Sequence, residues 1–298
     1  MINNFNNLIL GGVILKLQLI INGLIYGIIV AVSTMGLTIT TKILNFFNFA
    51  HGTIMTLCAF LVFSFNVGLN LPIIVSVLLA IPLSVIVALC IDSIIYVKMR
   101  KAASVALLMT SIGVTFAMRS LIKVIYGGGV KFYDVRISKG INILGINITS
   151  QQILIIILSI IAMYLVHLFM SKTKIGKSMR AVSGNPVLGE VTGINPELIY
   201  KWAWGLGTTL AALGGFFLAL DTRLVPTMGW NILIPIFVAM VIGGIGSIYG
   251  AVIGGLIVGF AMEIAAGFIP ATYKLGVAFI IMIVVLLWKP MGLFEEKK

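Results

Sequence analysis

Side chains able to break bonds or hold metals are few in this sequence and stand far apart. The histidines lie at 51 and 167 and the cysteines at 58 and 90, without the close pair spacings that gather four ligands around zinc. No HExxH puts two imidazoles on one helix face, no GxxxxGK[ST] cradles a phosphate, and no GxSxG presents a nucleophilic serine. An enzyme would need distant polar residues to converge in space. A chain driven by ATP would depend on a P-loop carried by another subunit. No catalytic residue, cofactor or metal is therefore expected on this chain. Cys58 and Cys90 both sit in apolar sequence, where inert, buried thiols are the expected state.

The ionisable groups within apolar sequence sit near segment ends. Asp92 follows an apolar run, Glu263 lies toward the outer end of its segment, and Arg119 and Lys123 lie toward the outer end of theirs. Deep charges in a membrane are costly and face protein or water, whereas long basic side chains near an end can snorkel. In NFFNFAHGTIM, Asn48 and His51 have an i,i+3 spacing that lets them share a helix face. A satisfied cap or interface residue is the simpler role for such a histidine.

The elements that must position these groups are membrane helices. Of the 298 residues 60% are hydrophobic and 9% charged, against about 25% charged in an ordinary soluble domain. The apolar residues form blocks of the ~20 residues a helix needs to cross a hydrocarbon core. The predicted segments are Leu17–Thr41, Phe46–Phe65, Leu71–Ile91, Ser104–Tyr126, Ser150–Met170, Trp202–Leu220, Ile232–Ile245, Ala251–Phe268 and Leu275–Trp288. The expected fold is thus an all-α polytopic membrane protein with eight or nine crossings and possible broken or re-entrant helices, in a single transmembrane domain spanning residues 1–298. MINNFNNLIL lacks the basic start and cleavage site of a signal peptide and is expected to belong to the mature chain.

The formal charge of +12 belongs to loops and reports orientation. Lys98, Arg100 and Lys101 form one basic loop; Lys172, Lys174, Lys177, Arg180 and Lys201 form another two segments later. The positive-inside rule puts both in the cytoplasm. Counting from them puts Gly127–Thr149, with Lys131, Asp134, Arg136 and Lys139, and Asp221–Gly229 outside. The tail Phe294–Lys298 is then inside; nine crossings would leave the N-terminus outside and eight would leave it inside.

Ile232–Ile245 is short for a bilayer and runs into Gly243, Gly244, Gly246, Ser247, Gly250, Gly254 and Gly255. Small residues spaced by four let helix backbones approach closely, and the short run suggests a broken or re-entrant element, tolerated only inside protein or beside a water-filled cavity. The plainer explanation is the general glycine enrichment of membrane helices. Asn22, Gly23, Tyr26, Gly27, Ser33, Thr34, Gly36 and Thr38 line a second small and polar stretch. Asn22, Gly27, Ser33, Asn48, His51, Gly243, Gly246, Ser247 and Gly250 are the candidates for a translocation region.

Between Ser171 and Trp202 runs SKTKIGKSMRAVSGNPVLGEVTGINPELIYKW. A short helix is expected around Ile175–Val182 and a second at Val187–Val191, opened by Pro186 and capped by Asn185. Together they would offer a docking surface to a soluble partner. The chain here resembles the shorter, H-type permease subunits of branched-chain amino-acid ABC importers. The motifs carrying the resemblance are NFAHG at Asn48–Gly52, TSIG at Thr110–Gly113, TKIGKSMRAVSGNP with VTGIN at Thr173–Asn195, and GGIGSIYGAVIGG at Gly243–Gly255.

That resemblance implies a half-channel in the prokaryotic cell membrane, paired with a related permease, two cytoplasmic ATPases that bind ATP and magnesium, and an extracytoplasmic binding protein delivering leucine, isoleucine or valine. The family's ATPase-contacting loop maps to residues 171–201, with Gly176, Arg180, Ala181, Asn185, Gly189 and Gly193 as the coupling residues. The chain departs from the family with GKSMRA in place of GRAMRA, and with SGN where an acidic residue often precedes the proline; lysine at 177 lacks arginine's rigid fork. The rival readings are a related importer of urea or short amides, a solitary ion-coupled carrier, a membrane enzyme and a scaffold. The carrier would want deep carboxylates in discontinuous helices.

Overall fold

The computed structural model describes residues 2–100, 102–135, 140–143 and 146–294, with only the backbone course for 2–16, 141–143, 146 and 271. Lys101, Arg136, Lys139 and tail residues 295–298, which figure in the orientation count, lie outside the described residues. The chain is a helical bundle. Its order is α1 (Ile2–Leu44), α2 (Ala50–Phe63) with a π turn (Ser64–Gly68), and α3 (Ile73–Ile91), which a π turn (Asp92–Tyr96) joins to α4 (Val97–Met99). Then follow α5 (Ser104–Tyr126), a hairpin of β1 (Ile141–Ile143) and β2 (Ile146–Ile148), and α6 (Ser150–Lys172). The remainder is α7 (Lys174–Gly184), α8 (Pro186–Val191), α9 (Pro196–Asp221), α10 (Met228–Gly243), α11 (Ile248–Ala266) and α12 (Lys274–Trp288).

Seven of these stretches are long and apolar enough to cross a membrane, and α10 and α12 are shorter apolar helices. The protein is a multi-pass membrane protein of the expected helical class. The small antiparallel hairpin falls in the loop after α5. α1 is the axis of the bundle, packed most extensively on α11 and α9.

Local chemistry sets the helix ends. Thr149 opens α6 with a capping box, its side chain taking the Gln152 N–H while Gln152 takes the Thr149 N–H, which satisfies two orphan donors. Asn195 Oδ1 accepts the Glu197 N–H at 3.0 Å and opens α9 behind Pro196. Asn45 closes α1 with φ of 58°, a left-handed conformation that asparagine tolerates.

Lys98, Lys172, Lys174, Lys177, Arg180 and Lys201 gather with Lys42 and Arg100 where α1, α4, α6 and α7 end or begin. This is the basic end of the bundle. At the far end lie Asp221, Glu263 and Lys274, with a Glu263–Lys274 ion pair of 2.7 Å and an antiparallel bridge between Lys131 and Leu224. Cys58 is buried as expected, but Cys90 is exposed, and both are free. Cys90 lies on α3, most of whose apolar stretch faces outward, so apolar sequence there does not mean burial.

Candidate functional site

The segment after α6 is bound tightly to the bundle. Thr173 Oγ1 accepts the Gly176 N–H at 3.0 Å and caps α7. Gly176 then rests on the carbonyls of Phe169 and Met170, where a Cβ would collide with backbone. Met179 and Val182 are fully buried. Arg180 Nη1 donates to the Met170 carbonyl at the C-terminal end of α6. Gly176 and Arg180 therefore hold the bundle, while Ala181 is exposed.

α8 has the predicted form. Asn185 Oδ1 accepts the Leu188 N–H at 3.1 Å, Pro186 takes the first helical position, and Gly189 packs on Val182. Gly193, with φ of 83°, turns the chain while the Ile194 N–H reaches back to the Gly189 carbonyl at 3.0 Å. What α8 presents outward was missed from sequence: Val187, Leu188 and Val191 are 70%, 62% and 80% exposed. The signal was three apolar residues in a charged loop at a spacing that shares one helix face.

Beneath this segment, Arg100 links two elements. Nη2 pairs with Asp92 Oδ2 at 2.8 Å, Nη1 pairs with Glu197 at the start of α9, and the guanidinium lies 4.6 Å from the centroid of the Tyr200 ring. Asp92 is 1% exposed. The inner-end carboxylate expected there is thus buried and paired across elements. Arg100 Nε has no hydrogen-bond partner among the described residues, and a cavity of about 60 Å³ lies between Asp92, Tyr96, Arg100 and Tyr200. Tyr96, in the same π turn as Asp92, stacks on Phe46 at 5.4 Å and meets Trp204 at a tilt, 5.2 Å away.

Phe46 begins the largest departure from expectation. A helix was predicted from Phe46, but α2 starts at Ala50, and Asn45–Phe49 is irregular chain. This stretch runs from the basic end alongside the first turns of α5. The Phe49 N–H donates to Ser111 Oγ at 3.1 Å, seven residues or about 10 Å into α5. Phe47 and Phe49 both meet Phe237 of α10, at 6.0 and 4.9 Å. Asn48 Oδ1 accepts the Ala50 N–H at 3.0 Å, and His51 Nε2 bonds the Ser33 carbonyl at 3.0 Å. Asn48 stands just before α2, and its carbonyl accepts the His51 N–H at 3.3 Å, an i,i+3 turn bond at the start of the helix. Side chains thereby supply the partners that irregular backbone needs away from water.

The glycine-rich stretch is a turn between two antiparallel helices, not a break within one. α10 ends at Gly243, Gly244 and Gly246 have φ of 100° and 94°, and Ser247 Oγ caps α11 through the Gly250 N–H at 3.0 Å. Gly243 and Gly250 meet backbone to backbone, and Gly246 lies against the Lys42 side chain at the basic end.

The translocation candidates consequently divide by depth. Gly243, Gly246, Ser247 and Gly250 are at the basic end, and Ser33, Asn48 and His51 are at mid-depth. Gly27 lies in the α1–α11 contact. Asn22 lines a far-end cavity of about 430 Å³ with Tyr26, Asp221, Glu263 and Lys274. At the basic end a cavity of about 690 Å³ brings the two candidate groups together: Arg180, Ser183 and Gly184 face Asn45, Phe46 and Phe47 across it, with Gly246 on its wall. Among the described residues no group of three His, Cys, Asp or Glu could hold a metal ion.

A family profile described as the branched-chain amino acid transport system / permease component matches residues 19–286. The high-affinity branched-chain amino acid transport system permease protein BraD of Pseudomonas aeruginosa is 29% identical over 93% of this chain and 95% of its own length. LivH of Escherichia coli is 27% identical over 93% and 94% of the two chains. A probable branched-chain amino acid transport permease, LivH of Methanocaldococcus jannaschii, is 29% identical over 93% and 92%. Among solved structures, PsaBC from Streptococcus pneumoniae in complex with Fab shares the fold with a TM-score of 0.50 at 14% identity, over 89% of this chain and 90% of that one.

Proposed function

The chain belongs to the family of branched-chain amino acid transport system permease components, and from that premise we propose that it is the shorter permease subunit of an ATP-driven importer of leucine, isoleucine and valine. In this reading it works with a second, related permease, two cytoplasmic ATPases that carry ATP and magnesium, and an extracytoplasmic binding protein. It contributes no catalytic residue of its own. The basic end faces the cytoplasm, in keeping with the positive-inside rule, and the C-terminus lies on that side.

The observation that carries the coupling role is the pairing of an exposed apolar face with a rigid mount. Val187, Leu188 and Val191 project from α8, while Gly176, Arg180, Asn185, Gly189 and Gly193 fix α7 and α8 against the end of α6. An exposed apolar cluster in a loop that otherwise presents polar and charged residues is a protein contact in waiting. We assign it to the ATPase. Gly176 and Arg180 act by holding the element, and the three apolar residues by touching the partner.

Two routes lead from this mount into the membrane. One crosses the 690 Å³ cavity to Asn45–Phe47. The other passes from Glu197 through Arg100 to Asp92, and on through Tyr96 to Phe46. Both end on the irregular segment. ATP-driven movement of α7 and α8 would be delivered there, and rearrangement of Asn45–Phe49 would open or close the path between access states.

The test is purification with native partners in mild detergent, followed by ATPase assays with leucine, isoleucine, valine and urea delivered by the binding protein. Stimulation by the three amino acids and not by urea is expected, and Leu188→Asp should lose the ATPase subunits while the permease stays monodisperse. Absence of a copurifying ATPase, or stimulation by urea alone, would defeat the coupling or the cargo assignment respectively.

A further inference from the structure

A second cavity at the basic end has the character of a lipid site. α6 and α11 both pack against α1, leaving a groove of about 360 Å³ between them. Its walls are apolar and adaptable, with Met35, Met163, Val252 and Ile253 along its length. From Met35 to Lys42 it covers about 10 Å of helix, about a third of a ~30 Å hydrocarbon core. His167 Nδ1 and the Tyr249 hydroxyl, 2.6 Å apart, bridge the two helices across it.

The mouth of the groove differs from its walls. Lys42 and Arg180 bring two cationic side chains there beside Ser171, and none of the described residues lining the groove is acidic. A slot open to lipid, apolar along its length and basic at its membrane-surface end, matches one ligand chemistry. Acyl carbons would occupy the methionine-lined walls, and a headgroup phosphate would accept hydrogen bonds from ammonium and guanidinium groups.

The geometry points to this groove as a binding site for one anionic glycerophospholipid of the inner leaflet. The leaflet assignment rests on the orientation proposed above. Arg180 already donates to the Met170 carbonyl, so a phosphate on the same guanidinium would brace α7 against the end of α6. The site thus joins lipid composition to the stiffness of the coupling element.

The permease complex, purified in detergent, would be incubated with equimolar phosphatidylglycerol and phosphatidylcholine of matched acyl chains and weighed by native mass spectrometry. One retained phosphatidylglycerol per copy of this chain is expected, with a preference of about tenfold or more, as two basic residues near an anionic headgroup supply. Lys42→Gln should lower that preference about fivefold, and Lys42→Arg should keep it. Ile253→Trp fills the groove and should release the lipid, whereas Ile160→Trp, on the exposed face of α6 outside it, should not. Equal retention of the two lipids, or phosphatidylglycerol held undiminished by Ile253→Trp, would overturn the assignment. The measurement uses neither nucleotide nor substrate, and it can be repeated on this chain alone. Its failure is therefore distinct from failure of the transport reading.

Discussion

Helices α1 and α9 form the inside of the bundle, and α3 and α6 its outside. The apolar windows of Leu17–Leu44 and Pro196–Asp221 are 67% and 72% buried, against 28% for those of Ile73–Met99 and Ser150–Lys172. The buried helices carry the small and polar residues, as in VSTMGLTITT of α1 and GLGTTLAALGG of α9. The outer ones are richer in Ile, Leu and Val. This reverses the soluble pattern because lipid is already apolar, so burying leucine gains little and close backbone packing gains more. Two of the hydroxyls inside the bundle bond back onto their own helix, Ser33 to Ile29 at 2.8 Å and Thr34 to Val30 at 2.7 Å.

The strongest way to break this contrast is at a backbone contact. Gly229 and Gly52 approach so closely that a Cβ on Gly229 would collide with the Gly52 carbonyl. Backbone cannot rotate aside as a side chain can, so Gly229→Val should exceed the ~1–3 kcal/mol of ordinary overpacking and fail to yield monodisperse protein by size-exclusion chromatography. On the outer helix α5, Gly113 meets open space, and Gly113→Ala should be recovered like the parent.

Next in size is Arg100. Arg100→Gln leaves Asp92, 1% exposed, as an unpaired buried carboxylate, at a cost of about 3–5 kcal/mol. Adding Asp92→Asn should return most of the thermal stability of the detergent-solubilised complex, because the stranded charge is then gone. No recovery in the double variant would mean that the guanidinium acts through Glu197 and Tyr200 rather than through Asp92.

The legibility of the sequence follows the same inner and outer division. Long apolar runs with basic ends locate crossings whatever their neighbours, so every predicted segment found its helix. The cap at Asn185 was also legible, because it acts within three residues of itself. Asn45–Phe49 was not: NFFNF is as apolar as a helix, and what keeps it irregular is Ser111, Phe237 and Tyr96, contributed by three distant elements. The Arg100 pairings likewise span 8 and 97 residues. The glycines at 243–250 announced close packing correctly, but glycine serves a turn and a broken helix alike, and only the observed α10–α11 hairpin separates them.

A smaller effect tests the mount of α8. Asn185→Ala removes the side chain that accepts the Leu188 N–H, a loss of about 1 kcal/mol for a helix N-cap. Hydrogen exchange should rise across Pro186–Val191 and stay level in α9, which Asn195 caps independently. Equal acceleration in both helices would show that α7, α8 and α9 open as one unit.

The smallest expected effect sharpens the comparison most. Leu78 on α3 is 65% exposed, and truncating it removes contacts that lipid or detergent chains can replace. Leu78→Ala should therefore change thermal stability by no more than about 0.5 kcal/mol, the range of surface substitutions away from special features. The value of the measurement lies in comparing this chain alone with the assembled complex. If Leu78 faces lipid in both, the shift stays near zero in both. If the complex alone loses stability by as much as the Asn185 variant does, a partner covers this face of α3, and the most apolar helix of the bundle is an assembly surface rather than a lipid boundary.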